Sequence, residues 1–189
     1  MAMPAIAMEW TVDMLDALPD DGNRYEIIDG QLFVTPSPND VHQYVVGELH
    51  ALLLAYLKPA RLARSVVSPS DIRREDRTRN RVQPDVFVLR VTDGRRPSFP
   101  FDLSDLLLAV EVVSPSSSSY DHHRKRRLYL RGGVPEYWIV DPEARTVTVW
   151  RSEEGQGEMH AERLTWLPPQ MSDPLVIDLE RFFFEALDA

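Results

Sequence analysis

Two acidic residues stand where apolar runs would carry them inward. Asp85 follows Pro84 at the mouth of one such run, and Glu111 lies within LLLAVEVV at 106–113. That second run is nearly continuous in β-favouring residues, the pattern of a strand buried on both faces, where an uncompensated carboxylate is costly to desolvate. Two carboxylates brought together by neighbouring strands suit Mg²⁺, a hard cation that takes oxygen ligands, keeps several waters and pairs readily with a substrate phosphate. Phosphodiester hydrolysis is the chemistry such a pair serves. The alternatives are an ion pair between Glu111 and one of the 19 arginines, and a plain Pro-Asp strand entrance at Asp85.

Lys125 is the third candidate. The chain has only two lysines, yet one stands within Arg124-Lys125-Arg126-Arg127. Lysine is a compact point charge whose pKa can fall on burial, so it can orient and activate a water where a guanidinium cannot. On a helix it shares a face with Asp121, Leu128 and Tyr129, while Arg124, Arg127 and Arg131 form a solvent-facing stripe suited to phosphates. A second basic segment, RREDRTRNR at 73–81, contributes Arg77 and Arg79 as further candidate nucleic-acid contacts.

These residues need elements to hold them. Thr11 caps a short helix through Leu18 that forms an N-terminal lid. Arg24–Ile28 and Gln31–Thr35 flank Asp29-Gly30, the signal for a type I′ hairpin. Apolar residues from Val41 to Tyr56 recur at helical spacing over about 39–57, and His42 falls in that helix's first turn, expected at the surface. Strands are expected at 62–68, 71–73, 85–91, 106–113, 137–141 and 146–151, with 74–81 as an exposed hairpin tip. Asp121 caps a basic helix that Gly132-Gly133 ends, and a final helix spans 178–187. The order describes one α/β domain over 1–189, a sheet with helices on its faces.

Composition narrows the rest. With no cysteine, disulfide scaffolds, thiolate catalysis, Fe–S clusters and Cys-ligated zinc are excluded. There is no Gly-rich phosphate loop, no nucleophile elbow and no HExxH among the five histidines. His122 and His123 are adjacent, so on a helix they diverge by about 100° and cannot share a metal. No apolar stretch approaches the ~20 residues of a membrane helix, and the N-terminus lacks a basic region before its apolar residues, so a cytoplasmic protein is expected. The net charge of −9 becomes −16 once segments 73–81 and 121–131 are set aside, which confines nucleic-acid contact to those two clusters.

Taken together, Pro84-Asp85, Glu111-Val112-Val113-Ser114-Pro115, Tyr120-Asp121, Lys125 and Gly133-Val134-Pro135-Glu136-Tyr137-Trp138 resemble the Uma-two family of restriction endonucleases, within the PD-(D/E)XK nuclease superfamily. Arg24-Tyr25-Glu26, Asp29-Gly30, Pro36-Ser37-Pro38 and His42 extend the likeness over roughly 10–180. The resemblance implies a restriction-endonuclease-like mixed β-sheet flanked by helices, with an N-terminal β-hairpin. It implies Asp85 and Glu111 as ligands of Mg²⁺ (or Mn²⁺), Glu26 as an additional acidic site residue and Lys125 as the catalytic lysine. One departure is Val113, which occupies the position two after Glu111 where the superfamily places lysine. Lys125 would have to reach in from the following helix.

The leading reading is a metal-dependent endonuclease acting on DNA. The alternative, supported by Val113, is a catalytically inactive nuclease-fold binding or assembly module. A homodimer is expected, since cutting both strands usually takes two sites, with 146–150 and the Phe182-Phe183-Phe184 helix as pairing surfaces.

Overall fold

The computed structural model describes residues 9–73, 78–113, 119–169 and 171–189. Helix α1 (Val12–Asp16) is capped by Thr11, whose hydroxyl accepts the Met14 N–H, and ends short of Leu18. Strands β1 (Arg24–Ile28) and β2 (Gln31–Thr35) pair as predicted, and Asp29 and Gly30 both take positive φ, 50° and 77°, as a type I′ turn requires. Helix α2 (Asp40–Leu57) starts at the cap Asn39, whose side chain accepts the N–H of His42.

There follow β3 (Ala63–Val67), β4 (Ile72–Arg73), β5 (Arg81–Val82), β6 (Val86–Arg90), β7 (Phe101–Asp102), β8 (Leu106–Val112), α3 (Ser119–Arg131), β9 (Glu136–Asp141) and β10 (Thr146–Trp150). Short β11 (Glu158–His160), β12 (Arg163–Trp166) and β13 (Leu175–Asp178) precede α4 (Leu179–Leu187). These last three strands have three or four residues each, too few for alternation to stand out. Asp121 lies inside α3 rather than capping it. First-turn N–H groups have no intrahelical partner, so sequence marks a helix start only weakly.

A mixed six-stranded sheet, ordered β11-β10-β9-β8-β6-β3, forms the centre; only β8 and β9 run parallel. On one face α2 and α4 pack with Leu49, Leu53, Trp138 and Phe183 between them and the sheet. On the other lie α3 and the small sheet β2-β1-β5-β4-β7, sealed by Ile28, Phe87, Leu128, Tyr129 and Tyr137.

Some expectations change here. Of the segment 74–81, Thr78 and Arg79 are exposed as expected between the antiparallel strands β4 and β5, but Asn80 is buried and Arg81 belongs to β5. Residues 74–77, Arg77 among them, lie outside the described residues. Strand β10 is no free edge, because β11 covers it, and Phe182 and Phe183 are buried in the core. Finally, two-residue alternation along 106–113 would put Leu107 on the face of Glu111, and it does not lie there. A register shift between Val88 and Leu89 pairs Leu106 with Leu89 and Leu108 with Val88, so Leu107 is an extra residue and turns toward α2. Such a bulge breaks the two-residue alternation on which the expectation rested.

The end of α3 is fixed by backbone rather than side chains. Gly133 takes φ 87°, with Gly133 N–H donating to Leu130 O and Val134 N–H to Tyr129 O, the paired bonds of a Schellman motif. At the preceding Gly132 a Cβ would sit 2.5 Å from Leu103 Cδ1 and 2.9 Å from Leu103 Cβ. Gly132→Ala should therefore cost about 1–3 kcal/mol by overpacking. A thermal melt within 1 °C of the wild type would refute that close approach.

Candidate active site

Strand β6 pairs with β8 through Val86 and Val110, so continuing the register by one residue sets Asp85 opposite Glu111. The junction is fastened from Asp85 itself, whose Oδ2 accepts the N–H of Val112 at 2.9 Å. Asp85 and Glu111 are 3% and 4% exposed, so the two acids predicted from separate strands are buried together.

Glu111 faces α3. Its Oε1 accepts from Lys125 Nζ at 3.0 Å and from the Tyr129 hydroxyl at 2.9 Å. Lys125 also pairs with Glu26 Oε2 at 2.8 Å, while Glu26 Oε1 accepts the Gln83 N–H. Lys125 and Tyr129 lie four residues apart on α3 and so point to the same side. A lysine on this helix thus reaches the carboxylate that Val113, whose N–H is bonded to Val140, does not.

Asp85 is gripped from the other side. Arg24 Nη1 donates to Oδ1 at 2.7 Å, and His42 Nε2 lies 3.0 Å from Oδ2. An ionised carboxylate only accepts, so Nε2 carries the imidazole proton. His42 is 6% exposed, not at the surface as its place in the first turn suggested. The Asn39 cap fixes where α2 begins, and the first turn meets Asp85 instead of solvent. Beside them opens a cavity of about 280 Å³ lined by Arg24, His42, Gln43, Ser68, Gln83 and Asp85, which gives solvent a path to the acid.

Formal charge does not balance here: Asp85, Glu111 and Glu26 face Arg24 and Lys125, which leaves one negative charge in excess if His42 is neutral. The excess falls on Glu111, pushed up to about 8 chiefly by burial, with Asp85 and Glu26 adding repulsion that Lys125 only partly offsets. Burial also works against the ionised form of Asp85, but His42, Arg24 and Lys125 outweigh it and hold this carboxyl well below the usual range. Burial likewise opposes the charged form of Lys125 and is overcome by Glu111, Glu26 and Asp85, so Lys125 stays protonated. The lowered lysine pKa that burial alone would give is reversed by its two ion pairs.

This donor set fits a divalent cation. The available ligands are hard carboxylate oxygens, the charge in excess is negative, and Asp85 uses three of a carboxylate's roughly four lone-pair positions. Among the described residues no three acidic or imidazole side chains close around one point, so the pair Asp85 and Glu111 is the arrangement that Mg²⁺ chemistry would use.

The candidate nucleic-acid contacts fare differently. Arg127 and Arg131 both bind Glu153, at 3.0 and 2.6 Å, and Arg79 binds Glu9 at 2.8 Å. Arg124 is bonded to Gln31, and its guanidinium lies 5.7 Å from the centre of the Phe33 ring. The α3 stripe predicted to await phosphates is thus partly neutralised, by an acid from the loop after β10 that helical periodicity could not foresee.

A family model described as a putative restriction endonuclease, Uma2, matches residues 12–179. The chain belongs to the Uma2 family. A search of curated proteins gives no match. Among solved structures, a putative nuclease belonging to DUF820 from Anabaena variabilis ATCC 29413 is similar over 94% of this chain and 99% of its own, with a TM-score of 0.77 and 23% identity. The restriction-endonuclease-like fold expected from the Uma2 resemblance is therefore the fold of this chain, a mixed sheet flanked by helices. Among the described residues no helix is long and apolar enough to cross a membrane.

Within this Uma2 chain, sequence reasoning named Asp85, Glu111, Lys125 and Glu26, and the fold brings all four into one network. It passed over the roles of Arg24 and Tyr129. Arg24 had a usable signal, as the lone cation of the first hairpin. Tyr129 had only its i+4 spacing from Lys125, which served equally well for packing.

Proposed function

We propose that this protein is a Mg²⁺- or Mn²⁺-dependent endonuclease that hydrolyses phosphodiester bonds of DNA. The observation carrying this reading is the buried pair Asp85 and Glu111, set across adjacent strands with one negative charge in excess and Lys125 against Glu111. In this reading Asp85 and Glu111 hold the metal and Glu26 contributes as a third acid. When bound, the cation supplies Lewis-acid charge that polarises the phosphate and acidifies a water. Hydrolysis joins the water oxygen to phosphorus, breaks one P–O ester bond and delivers a proton to the leaving oxygen. Lys125, held charged by Glu26 and Glu111, orients the water and offsets charge building on the phosphate. Tyr129 keeps Glu111 in place, and His42 with Arg24 keeps Asp85 ionised.

One observation favours the inactive-module alternative: both oxygens of Asp85 already have partners, so this acid is satisfied without a metal. Supercoiled plasmid separates the two. Nicking that needs Mg²⁺ or Mn²⁺, stops in EDTA and is lost in Asp85→Ala supports the enzyme; no nicking of plasmid, RNA or branched DNA under any metal supports the module. We also propose that two copies pair to cut both strands, and a monomer mass by light scattering in the presence of DNA would refute that.

The raised Glu111 carboxyl gives the activity a pH signature. Proton and cation compete for the same carboxylate, so at limiting Mg²⁺ the nicking rate should climb as pH approaches about 8. At higher Mg²⁺ the midpoint should move to lower pH, because the cation favours the ionised form. A rate independent of pH from 6 to 9 at both concentrations would contradict it.

A further inference from the structure

Many of the described cations are tied to carboxylates, and four that are not gather at one place. Arg24, Arg79, Arg81, Arg127, Arg131 and others are tied to carboxylates. Lys58, Arg61, Arg64 and Arg96 form no such pair among the described residues, and all four line one cavity of about 630 Å³. They converge from three elements: Lys58 and Arg61 from the end of α2, Arg64 from β3, and Arg96 from the loop after β6. Leu54 and Leu57 contribute to an apolar floor, and no acid lines the cavity; the nearest in sequence is Asp93, in the adjoining turn.

Like charges gathered without counter-charge repel one another, and a bound anion removes that repulsion. The C-terminal dipole of α2 would account for Lys58 and Arg61 but not for Arg64 and Arg96, which come from elsewhere. Arg61 itself holds φ 57°, in the left-handed region where glycine or asparagine is usual. Guanidinium groups match phosphate oxygens two at a time, and a cavity of this size with an apolar floor admits a sugar beside the phosphate. With a net charge of −9, the basic cavity is a local exception on an acidic protein.

We infer that this cavity binds the phosphate of a nucleic-acid backbone. It lies at the opposite end of α2 from His42 and Asp85, about 24 Å away at 1.5 Å per residue between positions 42 and 58. That is roughly seven phosphates along one DNA strand at 3.4 Å each. The occupant rests on the nuclease reading, for which the cavity would be a second grip on the DNA that is cut. The anion site itself does not depend on it.

The test uses the full chain and a fluorescein-labelled 30-base-pair duplex, with anisotropy read in EDTA so that binding is separated from cleavage. The triple variant R61Q/R64Q/R96Q alters only exposed side chains away from the carboxylate network. It should melt like the wild type yet bind the duplex about tenfold or more weakly, and its log K against log salt slope should be shallower by about 2–3, at ~0.9 per phosphate contact. A 5-base-pair hairpin duplex, whose four steps span only about 14 Å at 3.4 Å each and so cannot reach from Asp85, should lose much less. ATP and inorganic phosphate serve as competitors. If the variant loses ATP or phosphate binding while duplex affinity is unchanged, the nucleic-acid occupant is overturned in favour of a free phosphate compound. If neither changes, the inference is wrong, whatever the plasmid assay gives. If duplex binding falls in the variant but no metal supports nicking, the cavity stands and the nuclease reading fails.

Discussion

Replacing Glu111 with glutamine is expected to abolish activity and stabilise the protein at the same time. The substitution keeps the shape and an oxygen for the Lys125 and Tyr129 hydrogen bonds while removing a buried charge. Loss of a metal-holding carboxylate should lower plasmid nicking by ~10³ or more, the scale of removing a principal electrostatic contact in the transition state. The stability effect has a definite sign. The folded carboxyl titrates near 8, above its ordinary value of 4.5. Its contribution to stability is therefore complete below about 4.5 and is lost as pH rises through about 8. Glu111→Gln removes that loss, so its melting temperature should match the wild type near pH 5 and exceed it by several degrees at pH 8.5, in the absence of metal. A variant less stable than the wild type at pH 8.5 would show that Lys125 wholly compensates Glu111.

Lys125→Met should do the opposite to stability and the same to activity. It leaves Glu26 and Glu111 buried at 1% and 4% exposure with their shared cation gone, and breaking a buried pair from one side costs about 3–5 kcal/mol. For a chain of this length that is a fall of about 10 °C in melting temperature. The folded lysine titrates above its ordinary value, so its stabilisation is fully present at neutral pH and fades only in strong alkali. In the variant Glu111, already raised and now without the lysine that lowers it, can relieve the strain by taking up a proton, so the deficit should shrink as pH falls from 8 toward 5. Lys125→Arg provides the control: it restores charge without the compact ammonium, and should recover stability more than nicking. A Lys125→Met protein that melts with the wild type at pH 8 would remove this ion triad from the account of the fold.

These two variants bear on a point of design. The same carboxylate that burdens the fold is the one that a divalent cation would relieve, so binding and stability are linked through Glu111. Mg²⁺ should accordingly raise the melting temperature of the wild type and leave that of Glu111→Gln nearly unchanged.

Much of this was written in the sequence. Asp29-Gly30 specified its hairpin because few residue pairs tolerate two successive positive φ angles. The run 106–112 announced a fully buried central strand, which made the acid at 111 conspicuous before any partner was known. The scarcity of lysine singled out Lys125. What the chain could not disclose was which charges meet. Arg24 and His42 reach Asp85 across 61 and 43 residues, and Glu153 reaches back to Arg127 and Arg131 from a loop. Such pairings depend on register and on the packing of α2 and α3 against opposite faces of the sheet, quantities set by the whole core. One extra residue at Leu107 changes which side chains accompany Glu111 without leaving a local mark. Tertiary structure also decided the direction of two titrations. Sequence supplies the type of a buried group, but only its neighbours decide whether desolvation prevails, as at Glu111, or is overcome, as at Lys125.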